Sequence, residues 1–101
     1  TIANIQSLAY IVDHGGEGIL VGENETFALI KNSSIKLRSE KGKTLSVFAY
    51  GGIAEGISIK GAVYETENLT LTPFFPLGVS NKFKENTSTV GVKNGCVLIK
   101  W

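Results

Sequence analysis

Several residue types are scarce in this chain of 101 residues, and each scarcity narrows what the protein can be. There is one cysteine, so no disulfide within the chain can hold the fold together. No apolar run approaches the roughly 20 residues that a bilayer-spanning helix needs, so we expect no membrane span. Methionine is absent and the sequence begins at Thr1, which predicts a processed or trimmed chain.

Charge is also scarce, because the formal net charge is only +1 and no long basic run occurs. Proteins that bind nucleic acid usually cluster Lys and Arg to neutralise phosphates, so we expect no nucleic-acid partner. The charges are nevertheless ordered, with an acidic block at 13–25 followed by a basic block at 31–43. Two interpretations stay open: solvated strand edges that discourage wrong pairing, or a complementary patch for a neighbouring subunit.

What the sequence does contain is alternation of apolar and polar residues, and no segment longer than about ten residues has helical spacing. Turn-forming residues recur at the interval expected of strand-turn-strand arrays. The sequence therefore predicts one all-β domain over residues 1–101, a sandwich or barrel that includes jelly-roll and cupin-like forms, with about eight to nine short antiparallel strands. Residues 1–6 fit either a flexible N-terminal arm or a first strand.

Strand pairing and the core can be predicted from the same alternation. Residues 44–65 are expected to be the central strand pair, divided by Gly51-Gly52. Asn94-Gly95 is the strongest hairpin signal, since a type I′ turn needs positive φ at both central residues, so 89–93 should pair with 96–101. One core is predicted, made of Leu37, Leu45, Val47, Ile57, Ile59, Val63, Leu71, Val90 and Leu98.

Residues that carry chemistry are few and form no recognisable catalytic set. His14 is the only histidine, and with Asp13 and Glu17 it supplies weak support for a metal site. No nucleophile-elbow sequence surrounds a serine or Cys96. Cys96 shares a face of the last strand with Leu98 and is interpreted as a small buried hydrophobe. We therefore predict that the protein is not an enzyme and has no catalytic residues, no metal and no cofactor.

Two groups of apolar residues are candidate contact sites. The last strand is apolar on both faces, so Val97, Ile99 and Trp101 are predicted to pack against another chain. Phe74 and Phe75 stand between two prolines. They either plug the end of the sandwich or form an exposed binding loop.

Four Asn-x-Ser/Thr sequons occur at or beside predicted turns, at Asn24, Asn32, Asn68 and Asn86. Each is a candidate glycosylation site, which would imply an extracellular protein. The alternative interpretation is that turns recruit Asn, Ser and Thr for their own backbone hydrogen bonds.

Two stretches resemble known families. Residues 9–37 have the order Gly-Glu-Gly, apolar strand, acidic turn and Phe-x-Leu, in which they resemble the middle strands of cupins. Where cupins carry Gly-Asp, Pro and a ligand His, this chain has Asn32-Ser33, Arg38 and Lys43, so the resemblance implies a cupin-like domain without its metal. Residues 51–63 resemble the glycine-rich strand of the SYLF family, which implies lipid binding, although the tryptophan motif that precedes it there is absent.

Because no catalytic set is recognised, we expect a β protein that works through its surface. The first expectation is a structural or assembly subunit of a virion, fibre or extracellular appendage that forms a homo-oligomer or contacts other protein subunits. A secreted module that recognises glycan or protein is the alternative. A lipid-binding β-barrel or a metal-free cupin-like domain is a further one. The predicted location is extracellular or on a virion surface.

Overall fold

The structure, a computed structural model, describes residues 18–21 as backbone, and residues 26–73 and 79–101 with their side chains. The described part contains nine strands and no helix, so none there could cross a membrane. The strands are β1 (Gly18–Val21), β2 (Thr26–Lys31), β3 (Ser34–Arg38), β4 (Thr44–Ala49), β5 (Ala54–Lys60), β6 (Thr66–Leu71), β7 (Val79–Lys82), β8 (Thr87–Gly91) and β9 (Cys96–Lys100). The predicted all-β fold is confirmed. The predicted arm at 1–6 lies outside the described residues.

The strands form two antiparallel sheets that pack face to face. The first sheet has five strands in the order β1-β2-β9-β4-β7, and the second has four in the order β3-β8-β5-β6. One core cluster between the sheets takes residues from both, because successive side chains of a strand point to opposite faces. The result is a β-sandwich.

Most of the predicted core is confirmed. The buried members are Leu37, Leu45, Val47, Ile57, Ile59, Leu71 and Val90. Val63 was placed wrongly: it is 51% exposed, because β5 ends at Lys60 and the alternation does not continue beyond it. Leu98 was also placed wrongly, since it packs with Leu29 in a second cluster on the outer side of the first sheet.

Two predicted strand pairs are wrong because the chain crosses between the sheets. β4 belongs to the first sheet and β5 to the second, so Gly51-Gly52 joins two layers rather than one pair. β8 and β9 are likewise in different sheets, and Asn94 lacks the positive φ that a type I′ turn requires. A turn signal indicates a reversal of the chain, but it does not say whether the two strands share a sheet.

Three connections meet at one end of the sandwich. The register pairs Lys60 with Thr89, Arg38 with Thr87 and Thr44 with Lys82. The β3–β4, β5–β6 and β7–β8 connections therefore lie together. The candidate site is built at this end.

Candidate functional site at the turn between β5 and β6

The turn between β5 and β6, residues 61–65, presents two apolar side chains to solvent. Among the described residues, the exposed large hydrophobics are Ile53 at 53%, Val63 at 51% and Tyr64 at 73%. Single exposed hydrophobics are common on soluble proteins, whereas two neighbours on one ordered turn are a candidate binding surface. Val63 and Tyr64 are such neighbours.

The turn begins at Gly61, and its geometry requires glycine. Gly61 has a φ of +76°, and an added Cβ would lie 2.6 Å from the carbonyl oxygen of Thr87. Its backbone N–H donates a hydrogen bond to Oε2 of Glu65 at 2.8 Å. The first and last residues of the turn are thereby joined.

Backbone hydrogen bonds attach this turn to the end of β7. The N–H of Val63 donates to the carbonyl oxygen of Lys82 at 2.9 Å, and the N–H of Lys84 donates to that of Gly61 at 3.1 Å. Ala62 and Phe83 form an isolated antiparallel bridge between the two segments. Since β5 and β7 belong to different sheets, these bonds join the two layers at this end.

A buried side chain completes the attachment at Tyr64. The N–H of Tyr64 donates to Oδ1 of Asn81 at 3.0 Å, and Nδ2 of Asn81 donates to the carbonyl oxygen of Tyr64 at 2.7 Å. Oδ1 also accepts from the N–H of Lys82 at 2.9 Å. Asn81 is only 3% exposed. Its carboxamide therefore takes the place of a peptide group of a neighbouring strand, and it hydrogen-bonds both the N–H and the carbonyl oxygen of Tyr64.

Ser88 stabilises the start of the same turn. Asn81 and Ser88 are the buried polar residues of the described part of the chain. Oγ of Ser88 donates to the carbonyl oxygen of Lys60, the last residue of β5, at 2.6 Å. Buried polar groups are costly unless they are hydrogen-bonded, so both are placed where they hold the exposed turn.

One ion pair spans the two strands that flank the turn. Nζ of Lys60 lies 2.6 Å from Oε1 of Glu67, with side chains 50% and 67% exposed. The hydrogen bond between them is the main cause that raises the pKa of Lys60 and lowers the pKa of Glu67. Because both groups are solvated, the pair adds little stability.

Two hollows lie on other parts of the surface, and the second of them extends to the ion pair of Lys60 and Glu67 beside the turn. One, of about 270 Å³ at the opposite end of the sandwich, is lined by Lys31, Tyr50, Gly51, Gly52, Ile53, Gly95 and Cys96. The other, of about 510 Å³ on the second sheet, is lined by polar and small residues that include Ser33, Ser58, Gly91 and Lys93. Oγ of Ser33 is buried there without a hydrogen-bond partner.

The residues predicted to contact another chain are bound within this one. Val97 and Ile99 are fully buried in the chain's own core, so neither side chain faces a partner. Trp101 is half-buried, and its Nε1 donates to the carbonyl oxygen of Arg38 at 3.1 Å. Because β9 is apolar at nearly every position, alternation could not show which of its faces is inward. Self-association itself stays a prediction.

Three predicted glycosylation sites can be placed, at Asn32, Asn68 and Asn86, and all three are exposed. Oδ1 of Asn32 accepts the N–H of Gly95 at 2.8 Å, and Asn32 and Asn68 both have positive φ. The hydrogen bond of Asn32 agrees with the interpretation that turns recruit asparagine. Asn68 does not lie in a turn as predicted, but inside β6, where the register with β5 shifts. Glycosylation stays a prediction. The remaining candidates from the sequence lie outside the described residues: the sequon at Asn24, the pair Phe74 and Phe75, and the weak metal candidates Asp13, His14 and Glu17.

Sequence reasoning missed Tyr64 and Asn81. Val63 was assigned to the core, although Gly61 marks the end of the alternation and was the available signal. The contact between Tyr64 and Asn81 spans 17 positions and leaves no local pattern. Within residues 26–73 and 79–101, no group of three or more His, Cys, Asp or Glu could hold a metal ion.

Comparison with known proteins gives a family match and several similar folds. A family model described as thiamin pyrophosphokinase, vitamin B1 binding domain, matches residues 32–97. No curated protein sequence matches the chain.

Similar solved structures include the thiamine pyrophosphokinase of Bacillus subtilis, with a TM-score of 0.85 and 17% identity over 98% of this chain and 47% of that one. The thiamin pyrophosphokinase of Candida albicans has a TM-score of 0.78 and 11% identity over 98% of this chain and 38% of that one. An RmlC-like cupin protein of Desulfovibrio desulfuricans has a TM-score of 0.50 and 11% identity over 84% of this chain and 78% of that one. At these identities, each likeness shows the fold alone. The chain spans less than half the length of the two pyrophosphokinases.

The family match corrects the function predicted from the sequence. The expectation of a structural or self-assembling virion or fibre subunit is wrong, as are the alternatives of a glycan- or protein-recognition module and a lipid-binding or cupin-like domain. The family gives no support to an extracellular location. The prediction that the protein is not an enzyme needs a finer statement, since the family is one domain of an enzyme. With residues 32–97 matched, the chain belongs to the thiamin pyrophosphokinase vitamin B1 binding domain family.

Proposed function

We propose that this chain binds thiamin at the turn between β5 and β6, with Tyr64 as the side chain that contacts the vitamin's rings. The observation that carries this proposal is an aromatic side chain that is 73% exposed while its backbone is held at both N–H and C=O. The description of the family as vitamin B1 binding supplies the ligand.

The chemistry of thiamin suits an exposed aromatic side chain. Thiamin joins an aminopyrimidine ring to a positively charged thiazolium ring that carries a hydroxyethyl group. The face of a tyrosine ring stacks on a flat heterocycle and also attracts a cation. Tyr64 can therefore contact either ring favourably.

The neighbours of Tyr64 add to this surface. Val63 supplies exposed apolar area beside the ring. Glu65 is exposed, and its carboxylate is held at the turn by the N–H of Gly61. A negative charge next to the aromatic residue favours a cationic ligand over a neutral one.

The turn between β5 and β6 is already ordered in the free protein, and this favours binding. A ligand that must immobilise a loop loses affinity to the entropy of that ordering. The turn is already tied down by the bonds from Val63, Gly61 and Tyr64 to residues 81–84. Most of that ordering is complete before the ligand arrives.

We propose that, in a longer protein with a domain of this kind, binding of the vitamin and transfer of the pyrophosphoryl group are carried out by different parts of the chain. The two pyrophosphokinases named above are more than twice as long as the part this chain matches. This domain would bind the vitamin, and the transfer that the name pyrophosphokinase describes would need residues outside it.

Titration calorimetry with thiamin tests the proposal. The wild-type chain should bind saturably, and Tyr64→Ala should weaken binding by about fivefold or more, because stacking and burial of an aromatic ring contribute about 1 kcal/mol or more. Tyr64→Phe keeps the ring and should retain most of the affinity.

Ile53→Ala is the matched control, since it removes another exposed large hydrophobic, at the opposite end of the sandwich. It should leave thiamin binding unchanged. Absence of saturable binding by the wild type, or equal affinity in Tyr64→Ala, would contradict the proposal.

A further inference from the structure

We infer that Asn81 is a positioning residue for the thiamin site: its carboxamide holds Tyr64 in the orientation in which the ring is available to the ligand. The link to thiamin depends on the proposed function above. The hold of Asn81 on the turn does not depend on it.

The location of Asn81 explains why a side chain is used there. β7 is the last strand of the first sheet, so one of its sides has no strand partner within that sheet. An edge strand has unpaired backbone groups that attract a neighbouring segment. The turn takes that place, but the backbone of Lys82 supplies only the bond to Val63. The carboxamide of Asn81 supplies the two bonds that Tyr64 needs.

The requirement is specific to a carboxamide. Tyr64 presents a donor and an acceptor from the same residue, so its partner must combine an acceptor with a donor a short distance apart. Asparagine has both, whereas an ionised aspartate has acceptors only. In Asn81→Asp, a carboxylate oxygen would face the carbonyl oxygen of Tyr64, and the two would repel each other.

The expected effect on affinity follows from the fraction of molecules with an ordered turn. The apparent dissociation constant equals the intrinsic constant divided by the fraction of protein in the binding-competent state. If Asn81→Asp leaves about one molecule in ten with the turn in place, thiamin affinity falls about tenfold by this relation. Contacts with the ligand would be unchanged in that fraction.

Native-state hydrogen exchange, followed by NMR without ligand, measures the position of the turn directly. In the wild type, the amide of Tyr64 should be protected to a degree similar to strand amides. In Asn81→Asp, the protection factor of the Tyr64 amide should fall about tenfold or more. The amide of Val47, in the core, should still exchange only through global unfolding, as in the wild type. Thiamin affinity, measured by calorimetry, should fall by a similar factor.

Ile30→Val is the control for general destabilisation. Ile30 is fully buried in β2, and Val97, with which it pairs, lies at the opposite end of the sandwich from the turn. This variant should lower global stability while thiamin affinity and the relative protection of Tyr64 stay unchanged. A purely structural role for Asn81 predicts that both variants behave alike.

The inference is overturned if Asn81→Asp retains either the wild-type protection of Tyr64 or the wild-type affinity for thiamin. A third outcome separates the two proposals: the wild type binds no thiamin, while Asn81→Asp still lowers the protection of the Tyr64 amide. The proposed function and the link to thiamin then fail, but the role of Asn81 in holding the turn stands. Should Asn81→Asp not fold, the wild type decides: exchange at Tyr64 as fast as at the exposed glycine Gly51 would overturn the inference.

Discussion

Asn81 and Tyr64 are joined by two hydrogen bonds, one of 3.0 Å from the N–H of Tyr64 to Oδ1 and one of 2.7 Å from Nδ2 to the carbonyl oxygen of Tyr64. The first residue is almost completely buried and the second is the most exposed large hydrophobic of the described chain. A buried polar group is thus used to present an apolar one. The two hydrogen bonds distinguish Tyr64 from an ordinary exposed loop residue, whose backbone is not fixed in this way.

Ile59→Ala and Val63→Ala should have very different effects, although alternation along the sequence assigned both residues to the core. Ile59 is fully buried, so its truncation should cost about 2–5 kcal/mol through lost transfer energy and a residual cavity. Val63 is 51% exposed, and its truncation should cost less than about 0.5 kcal/mol. Chemical denaturation of both variants measures this, and equal losses would contradict the assigned end of β5.

Gly61→Ala should destabilise the protein more than Gly42→Ala. Both glycines have positive φ, but the new Cβ at Gly42 meets nothing within 4 Å, whereas at Gly61 it would lie 2.6 Å from the carbonyl oxygen of Thr87. Backbone strain alone should cost roughly 1–2 kcal/mol at Gly42. Gly61→Ala adds a clash with backbone, so its midpoint of thermal unfolding should be clearly the lower of the two. Similar midpoints would show that the turn can move aside.

Lys60→Met should raise the pKa of Glu67, because the hydrogen bond and charge that lower it are removed. In the wild type, the lowered pKa of Glu67 means that its small contribution to stability is present above the ordinary value of 4.5 and is lost as pH falls through the lowered value. The raised pKa of Lys60 has the opposite sign: that contribution is present below 10.5 and is lost as pH rises through the raised value.

NMR titration of the Glu67 carboxyl carbon measures this shift in the wild type and in Lys60→Met. Lys84→Met, which removes an exposed lysine from the β7–β8 connection, should leave the Glu67 titration unchanged. Added salt should also move the wild-type midpoint upward, since screening weakens exposed pairs. A midpoint that is the same in Lys60→Met and the wild type would show that the ion pair is not formed in solution.

Much of the fold was available from the sequence alone. Alternation in β3 and in the first four residues of β4 identified Leu37, Leu45 and Val47 as inward residues, because a segment that is polar on one side has only one face that can be buried. The recurring turn residues likewise identified an antiparallel all-β chain. These are local properties, and the neighbouring residues of the sequence are sufficient to reveal them.

Tertiary structure decided the rest. β9 is apolar on both sides, so only packing against the second sheet shows that Val97 and Ile99 point inward while Leu98 points outward. The turns at Gly51-Gly52 and Asn94-Gly95 reverse the chain in either case, but the layer to which each next strand belongs depends on contacts with distant strands. The same holds for the candidate site: Tyr64 becomes a fixed aromatic surface only when the edge of β7 brings Asn81 to it from 17 residues away. No local pattern records that meeting, because hydrogen-bond partners supplied by another sheet are set by the fold as a whole.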